Sequence, residues 1–175
     1  MDKLNVAIAD DNDLMRQLLD TIVQSDEELS VVGTAKDGEE AYQMIKEKEP
    51  DVVLLDIVMP KMDGLGVLDK VQRDTSIKKT PNFIMVSAVN QPQVTEDAFA
   101  LGADYFIMKP FDKDTIIQRI KKTRRTRAFV EPGFYQKKVE LWECVAMKWH
   151  RSMCATVINV NWQESPIQQI TGSLH

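Results

Sequence analysis

Between residues 5 and 125, short apolar runs alternate five times with amphipathic stretches, and that rhythm leaves few folds open. NVAIAD (5–10), LSVVGTA (29–35), DVVLLDIVM (51–59), NFIMVSAV (82–89) and DYFIMKP (104–110) read as strands. The third is too uniformly apolar to own a wet face, as strands of a parallel sheet are. DNDLMRQLLDTIVQ follows the first strand and sets Met15, Leu18, Leu19 and Ile22 at helical spacing. DGEEAYQMIKEKEP puts Ala41, Met44 and Ile45 on one face and stops at Pro50. DGLGVLDKVQR is a third helix, and QVTEDAFALG is a fourth, closed by Gly102 as a left-handed cap. DKDTIIQRIKKTRR is the last, with Asp112 as its N-cap and its basic residues towards the C-terminal end. Five βα units predict an α/β fold, a parallel sheet with helices on both faces.

In such a sheet, polar groups at the carboxyl ends of the strands gather in one crevice. The first strand finishes on Asp10–Asp11, the third on Asp56, the fourth on Ser87 and the fifth on Lys109. Three crowded carboxylates stay ionised only with compensating cations. Lys109 supplies one positive charge; a hard divalent ion with oxygen ligands, Mg²⁺ or Mn²⁺, is the natural second. Such a site suits phosphoryl transfer, in which cations neutralise the transferring group while a carboxylate attacks phosphorus. Each residue alone has a plainer reading. An acidic pair after a strand caps a helix, a lone Ser87 or Lys109 is structural or solvated, and Asp56 is an ion-paired core carboxylate. Their coincidence on one edge favours a site.

Composition excludes other classes. The chain is 43% hydrophobic and 28% charged, as soluble globular proteins are. No apolar window reaches the roughly eighteen residues of a membrane span, and the N-terminus carries no basic-then-apolar leader. A cytoplasmic protein is predicted, with no membrane partner. Cys144 and Cys154, with His150 between them, make no zinc pattern and read as reduced thiols. A net charge of −5 argues against nucleic-acid binding by the whole chain. The charge is uneven, −6 over residues 1–125 and +1 over 126–175, with the switch just after KKTRRTR (121–127). A globular domain of residues 1–125 is therefore predicted, then a basic linker and tail over 126–175.

The set ADD…LLDIVMPKMDG…MVSA…YFIMKPF resembles the receiver (CheY-like) domain of bacterial two-component response regulators, over residues 3–125. The resemblance implies a flavodoxin-like doubly wound sheet of order 2-1-3-4-5. It implies Asp56 as phosphoacceptor and metal ligand, Asp11 as a direct Mg²⁺ ligand, Asp10 as a mostly water-mediated one, and the Val58 backbone carbonyl as another. Lys109 would pair with the acidic site and then with the phosphoryl group, Ser87 would hydrogen-bond that group, and Phe106 would rotate with Ser87. The Lys109–Pro110 bond is expected to be cis. The implied partner is a histidine kinase or histidine phosphotransferase. Val58 and Val89 would flank the path of hydrolytic water, and both are apolar, so slow loss of the phosphoryl group is expected, with no further enzymatic activity.

Within the family, VAIADDN, KEPDVVLLDIVMPKMDGLGVL, NFIMVSA and LGADYFIMKPFD are similar to the sporulation master regulator of endospore-forming bacteria. That implies a phosphorelay, dimerisation through roughly residues 92–125, and control of a DNA-binding domain. From Ala128 onward no helix-turn-helix with a basic recognition helix is read, so DNA binding is expected only where an effector domain is present. A stand-alone relay intermediate stays open. An aspartate-nucleophile phosphatase is disfavoured, because DIVMP lacks the second aspartate that would act as acid and base. In the tail, Val139, Trp142, Ala146, Trp149 and Met153 lie at heptad-like spacing. They suit a short packing helix or a self-association element that buries tryptophans; an altered reading frame would equally explain the mismatch with the family.

Overall fold

The computed structural model describes residues 3–127. The expected tail helix, Cys144 and Cys154 lie outside the described residues. Five strands and five helices alternate: β1 Leu4–Ala9, α1 Asp13–Gln24, β2 Leu29–Ala35, α2 Gly38–Lys48, β3 Val52–Leu55, α3 Gly64–Arg73, β4 Asn82–Ser87, α4 Pro92–Ala100, β5 Tyr105–Met108 and α5 Lys113–Arg127. The strands are all parallel in the order β2-β1-β3-β4-β5. This is the flavodoxin-like doubly wound fold. Among the described residues, no helix is long and apolar enough to cross a membrane.

Alternation along the strands builds two cores. Ala7, Ala9, Val53, Leu55, Phe83 and Met85 face α2, α3 and α4, packing with Ala41, Ile45, Val67, Leu68 and Ala98. Val6, Ile8, Val52, Leu54, Ile84 and Val86 point the other way, against Leu19, Ile22 and Val23 of α1 and Ile116 and Ile120 of α5. β3 and the middle of β4 are thus apolar at every residue because both faces are covered.

The helix ends follow local chemistry. Asp112 accepts hydrogen bonds from the Thr115 amide and hydroxyl, as an N-cap does. After α4, Gly102 takes φ +103° while the Gly102 and Ala103 amides donate to the Phe99 and Ala98 carbonyls. That is the left-handed cap read from the sequence.

Two expectations are corrected. β3 stops at Leu55, not Met59, because Ile57 and Met59 are buried as loop residues in the core beneath α2, α3 and α4. Leu18 is 48% exposed; the buried stripe of α1 is Leu19, Ile22 and Val23, with Met15 partly buried. Adjacent helical residues stand about 100° apart, so Leu19 turns inward and Leu18 outward.

Candidate functional site

The sheet register brings the polar strand ends to one edge. Ala9 pairs with Leu55, and Leu55 with Met85. One residue on, the Asp56 amide donates to the Ala9 carbonyl, the Asp10 amide to the Ala35 carbonyl and the Lys109 amide to the Ser87 carbonyl. The next side chains along β1, β3 and β5 therefore converge. Lys109 Nζ lies 2.6 Å from Asp10 Oδ2 and 2.7 Å from Asp56 Oδ2. Asp10 is 1% exposed and Asp56 7%. Asp11 is exposed, and one carboxylate oxygen from each of Asp10, Asp11 and Asp56 lies within 4.8 Å of the others.

The remaining bonds hold these groups in place. Asp56 Oδ1 accepts from the Ile57 amide at 2.6 Å and the Val58 amide at 3.3 Å. Asp10 Oδ1 accepts from the Asn12 amide at 2.9 Å. Ser87 is fully buried, and its Oγ accepts from the Val89 amide at 3.3 Å. The Lys109–Pro110 bond is cis. The Val58 side chain is 59% exposed. Phe106 is half-buried against the α2–α3–α4 core, opposite Met85.

Burial pushes the Asp10 carboxyl up from its ordinary value, against the Lys109 hydrogen bond and the Asn12 amide, which pull it down. Burial pulls the Lys109 ammonium down, but hydrogen bonds to Asp10 and Asp56 outweigh it, and the net shift is upward. Three carboxylates facing one ammonium leave an excess of negative charge. The donor set is hard oxygen throughout, which fits a divalent cation such as Mg²⁺.

Sequence reading missed Arg16. Its Nη1 donates to the Asp10 backbone carbonyl at 2.6 Å, and its Nη2 pairs with Asp13. The guanidinium thus clamps the acidic turn to α1. The only signal was an arginine within the first turns of the helix after the acidic pair.

The family description "Response regulator receiver domain" matches residues 6–121. The chain is similar to the signal receiver domain of the response regulator NarL from Mycobacterium tuberculosis, with 31% identity, 70% of this chain and 96% of that chain covered, and a TM-score of 0.65. It is similar to a chain in the CheX–CheY–BeF3–Mg²⁺ complex from Borrelia burgdorferi, at 36% identity with 73% and 90% covered and a TM-score of 0.62. The response regulator domain of CheB from Thermotoga maritima matches at 30% identity, 74% and 99% coverage and a TM-score of 0.63. With the shared sequence running through the whole doubly wound sheet, the chain belongs to the response regulator receiver family of two-component systems.

Proposed function

We propose that Asp56 accepts a phosphoryl group and that the domain switches between two surfaces in response. Receiver domains interact with histidine kinases or phosphotransferases and generally bind Mg²⁺ at an acidic pocket. The observation that carries the reading is the Lys109 ammonium set between Asp10 and Asp56, with the Asp11 carboxylate beside them. BeF3 and Mg²⁺ are named with CheY in the Borrelia complex, a relative 36% identical.

In this reading a carboxylate oxygen of Asp56 attacks the phosphorus of a phosphohistidine. The phosphorus–nitrogen bond breaks as the phosphorus–oxygen bond forms, and the histidine keeps the nitrogen electron pair and takes a proton. Asp10, Asp11 and Asp56, with the Val58 carbonyl, would hold Mg²⁺ (or Mn²⁺), which when bound would neutralise charge on the transferring group. Lys109 shifts from the carboxylates to the new phosphoryl oxygens, and Ser87 turns its hydroxyl towards them. Leu14 and Val58, 76% and 59% exposed, lie three and two residues after Asp11 and Asp56 and offer apolar surface to a protein donor.

The output is the α4–β5–α5 face, roughly residues 92–125, through Phe106. α4 buries only Ala98 fully, and Met108 is partly exposed, so apolar surface remains for a second copy or another partner. The finer reading is control of sporulation transcription, supported by the stretches VAIADDN, KEPDVVLLDIVMPKMDGLGVL and LGADYFIMKPFD.

Incubation with acetyl phosphate tests the chemistry. A single phosphoryl adduct in the intact mass is expected with Mg²⁺, absent without it and absent in Asp56→Asn. An adduct of equal yield in Asp56→Asn would overturn the assignment. The lifetime is a separate prediction. Val58 and Val89 orient no water, so label is expected to decay slowly, and Val58→Asn with Val89→Glu should speed its loss several-fold. An unchanged decay constant would sink that point.

A further inference from the structure

The loop from Ile57 to Asp63 carries Val58 and leads away from Asp56, and it is fastened at both ends. Near the site, the Gly64 amide donates to the Ile57 carbonyl at 2.9 Å. At its far bend the loop meets the start of α2. The Gly38 amide reaches the Pro60 carbonyl at 3.4 Å, and the Met62 amide donates to the same oxygen at 2.8 Å. A Cβ on Gly38 would sit 2.0 Å from the Met62 carbonyl oxygen, so backbone lies directly on backbone there.

Across this contact runs one ion pair. Lys61 Nζ is 2.6 Å from Asp37 Oδ2. Asp37 is 2% exposed, and its other oxygen caps α2 by accepting from the Glu39 and Glu40 amides. The Glu40 amide first, and the Lys61 ammonium second, hold the Asp37 carboxyl below its ordinary value, so the pair is charged at neutral pH. Lys61 also takes φ +64°, a left-handed conformation that side chains other than glycine adopt uncommonly. A residue kept in that conformation has a reason to be there, and the buried carboxylate opposite its ammonium supplies one.

We infer that the Asp37–Lys61 pair is a strap that positions the Ile57–Asp63 loop, and with it Val58, for Mg²⁺ binding beside Asp56. This rests on the proposed function, since it deepens the role of that same site. Lys61 is a positioning residue. It acts through the loop, and among the described residues its ion pair is with Asp37. Its side chain is 54% exposed, so water screens the pair from that side, and the Glu39 and Glu40 amides still hold the buried Asp37 carboxylate when the ammonium is gone.

Electrostatics gives the test a diagnostic sign. Removing a lysine near an acidic site makes the field more negative, so Coulomb attraction alone would tighten Mg²⁺ binding. Loss of positioning weakens it. Groups that orient ligands from behind commonly change metal affinity by about 10–100-fold. Lys61 stands one step further back, so Lys61→Met is expected to weaken Mg²⁺ binding about threefold or more. The cap on α2 is untouched in that variant, and its melting temperature should stay within about 4 °C of wild type. Lys61→Arg, which keeps the charge, should restore binding to within about twofold.

Calorimetric titration of the full chain with MgCl₂ reads the affinity. Hydrogen exchange on metal-free protein supplies a readout independent of the ion: the Met62 and Gly64 amides should exchange faster in Lys61→Met. Weaker Mg²⁺ binding together with faster exchange at these amides supports the strap. Binding that is unchanged or tighter in Lys61→Met, or exchange that does not change, overturns it while leaving the phosphoacceptor reading intact. Failure of wild type to bind Mg²⁺ overturns both.

Discussion

Lys109→Met is expected to destabilise the metal-free protein by about 3 kcal/mol, the lower end of what removing one partner of a buried ion pair costs. The variant leaves Asp10 and Asp56 buried side by side without the ammonium that touches both. Their other partners are backbone amides, which stabilise each carboxylate but do not cancel repulsion between the two. The crevice opens towards Asp11, so water relieves part of the penalty, hence the lower figure. The deficit has a pH signature. The Asp10 carboxyl is raised in the folded state, foremost by burial, so it protonates there before it does in the unfolded chain. At this one group acidification favours the fold, against the opposite trend of lowered carboxylates such as Asp37 and Asp74. The Lys109→Met deficit relative to wild type should therefore shrink as pH falls through the folded Asp10 value. Lys109 works in the opposite window. Its raised folded value means that its contribution is complete below the ordinary lysine value and is lost as pH rises through the higher one. Wild type should lose more stability in that alkaline range than Lys109→Met, in which the raised Lys46, Lys61 and Lys121 still titrate. Mg²⁺ should restore more stability to the variant than to wild type, because binding to the folded state stabilises it by mass action. Urea melts across pH, with and without Mg²⁺, check all three. A variant as stable as wild type at neutral pH without Mg²⁺ would contradict them.

Gly64→Ala is expected to damage fold and site together. A Cβ at Gly64 would lie 2.1 Å from the Asp56 carbonyl oxygen and 3.0 Å from Ile57 Cα. Both neighbours are backbone, and no rotamer change relieves such a contact. The start of α3 must move away from residues 56 and 57, which also stretches the Gly64–Ile57 hydrogen bond. Overpacking commonly costs about 1–3 kcal/mol, and a clash with main chain belongs at the top of that range or above it. The chemical effect is larger. A shift of about 1 Å at the reacting carboxylate can cost about a hundredfold in rate. Gly64→Ala should therefore be phosphorylated by acetyl phosphate about a hundredfold more slowly, under conditions where circular dichroism still shows it folded. A rate within twofold of wild type would show that the close approach at Gly64 does not matter to Asp56.

The fold was legible because buried parallel strands cannot hide. Val52 to Leu55 and Phe83 to Val86 are apolar at every position, and Gly102 and Asp112 mark their helix ends by local chemistry alone. The convergence of Asp10, Asp56 and Lys109 was legible for a related reason, since one topological rule turns strand ends into neighbours. Apolar character read less reliably where it belonged to a loop. Ile57 and Met59 prolonged the apparent third strand, yet they are buried by α2 and α3 and not by strand pairing. Arg16 and the Asp37–Lys61 pair were invisible for a different reason. Their partners are a backbone carbonyl and a residue on another loop, and no periodicity encodes either. Leu14 and Leu18 sit where helical spacing alone does not tell a core face from an exposed one.

The most direct measurement is the position of the phosphoryl group itself. Borohydride reduces an aspartyl phosphate to homoserine, which marks the acceptor covalently, and peptide mass spectrometry then locates it after acetyl phosphate treatment with Mg²⁺. The expected result is homoserine at position 56 alone, and none when Mg²⁺ is omitted. Homoserine at Asp10 or Asp11, or none anywhere in a folded and Mg²⁺-loaded sample, would contradict the assignment of Asp56 as the phosphoacceptor.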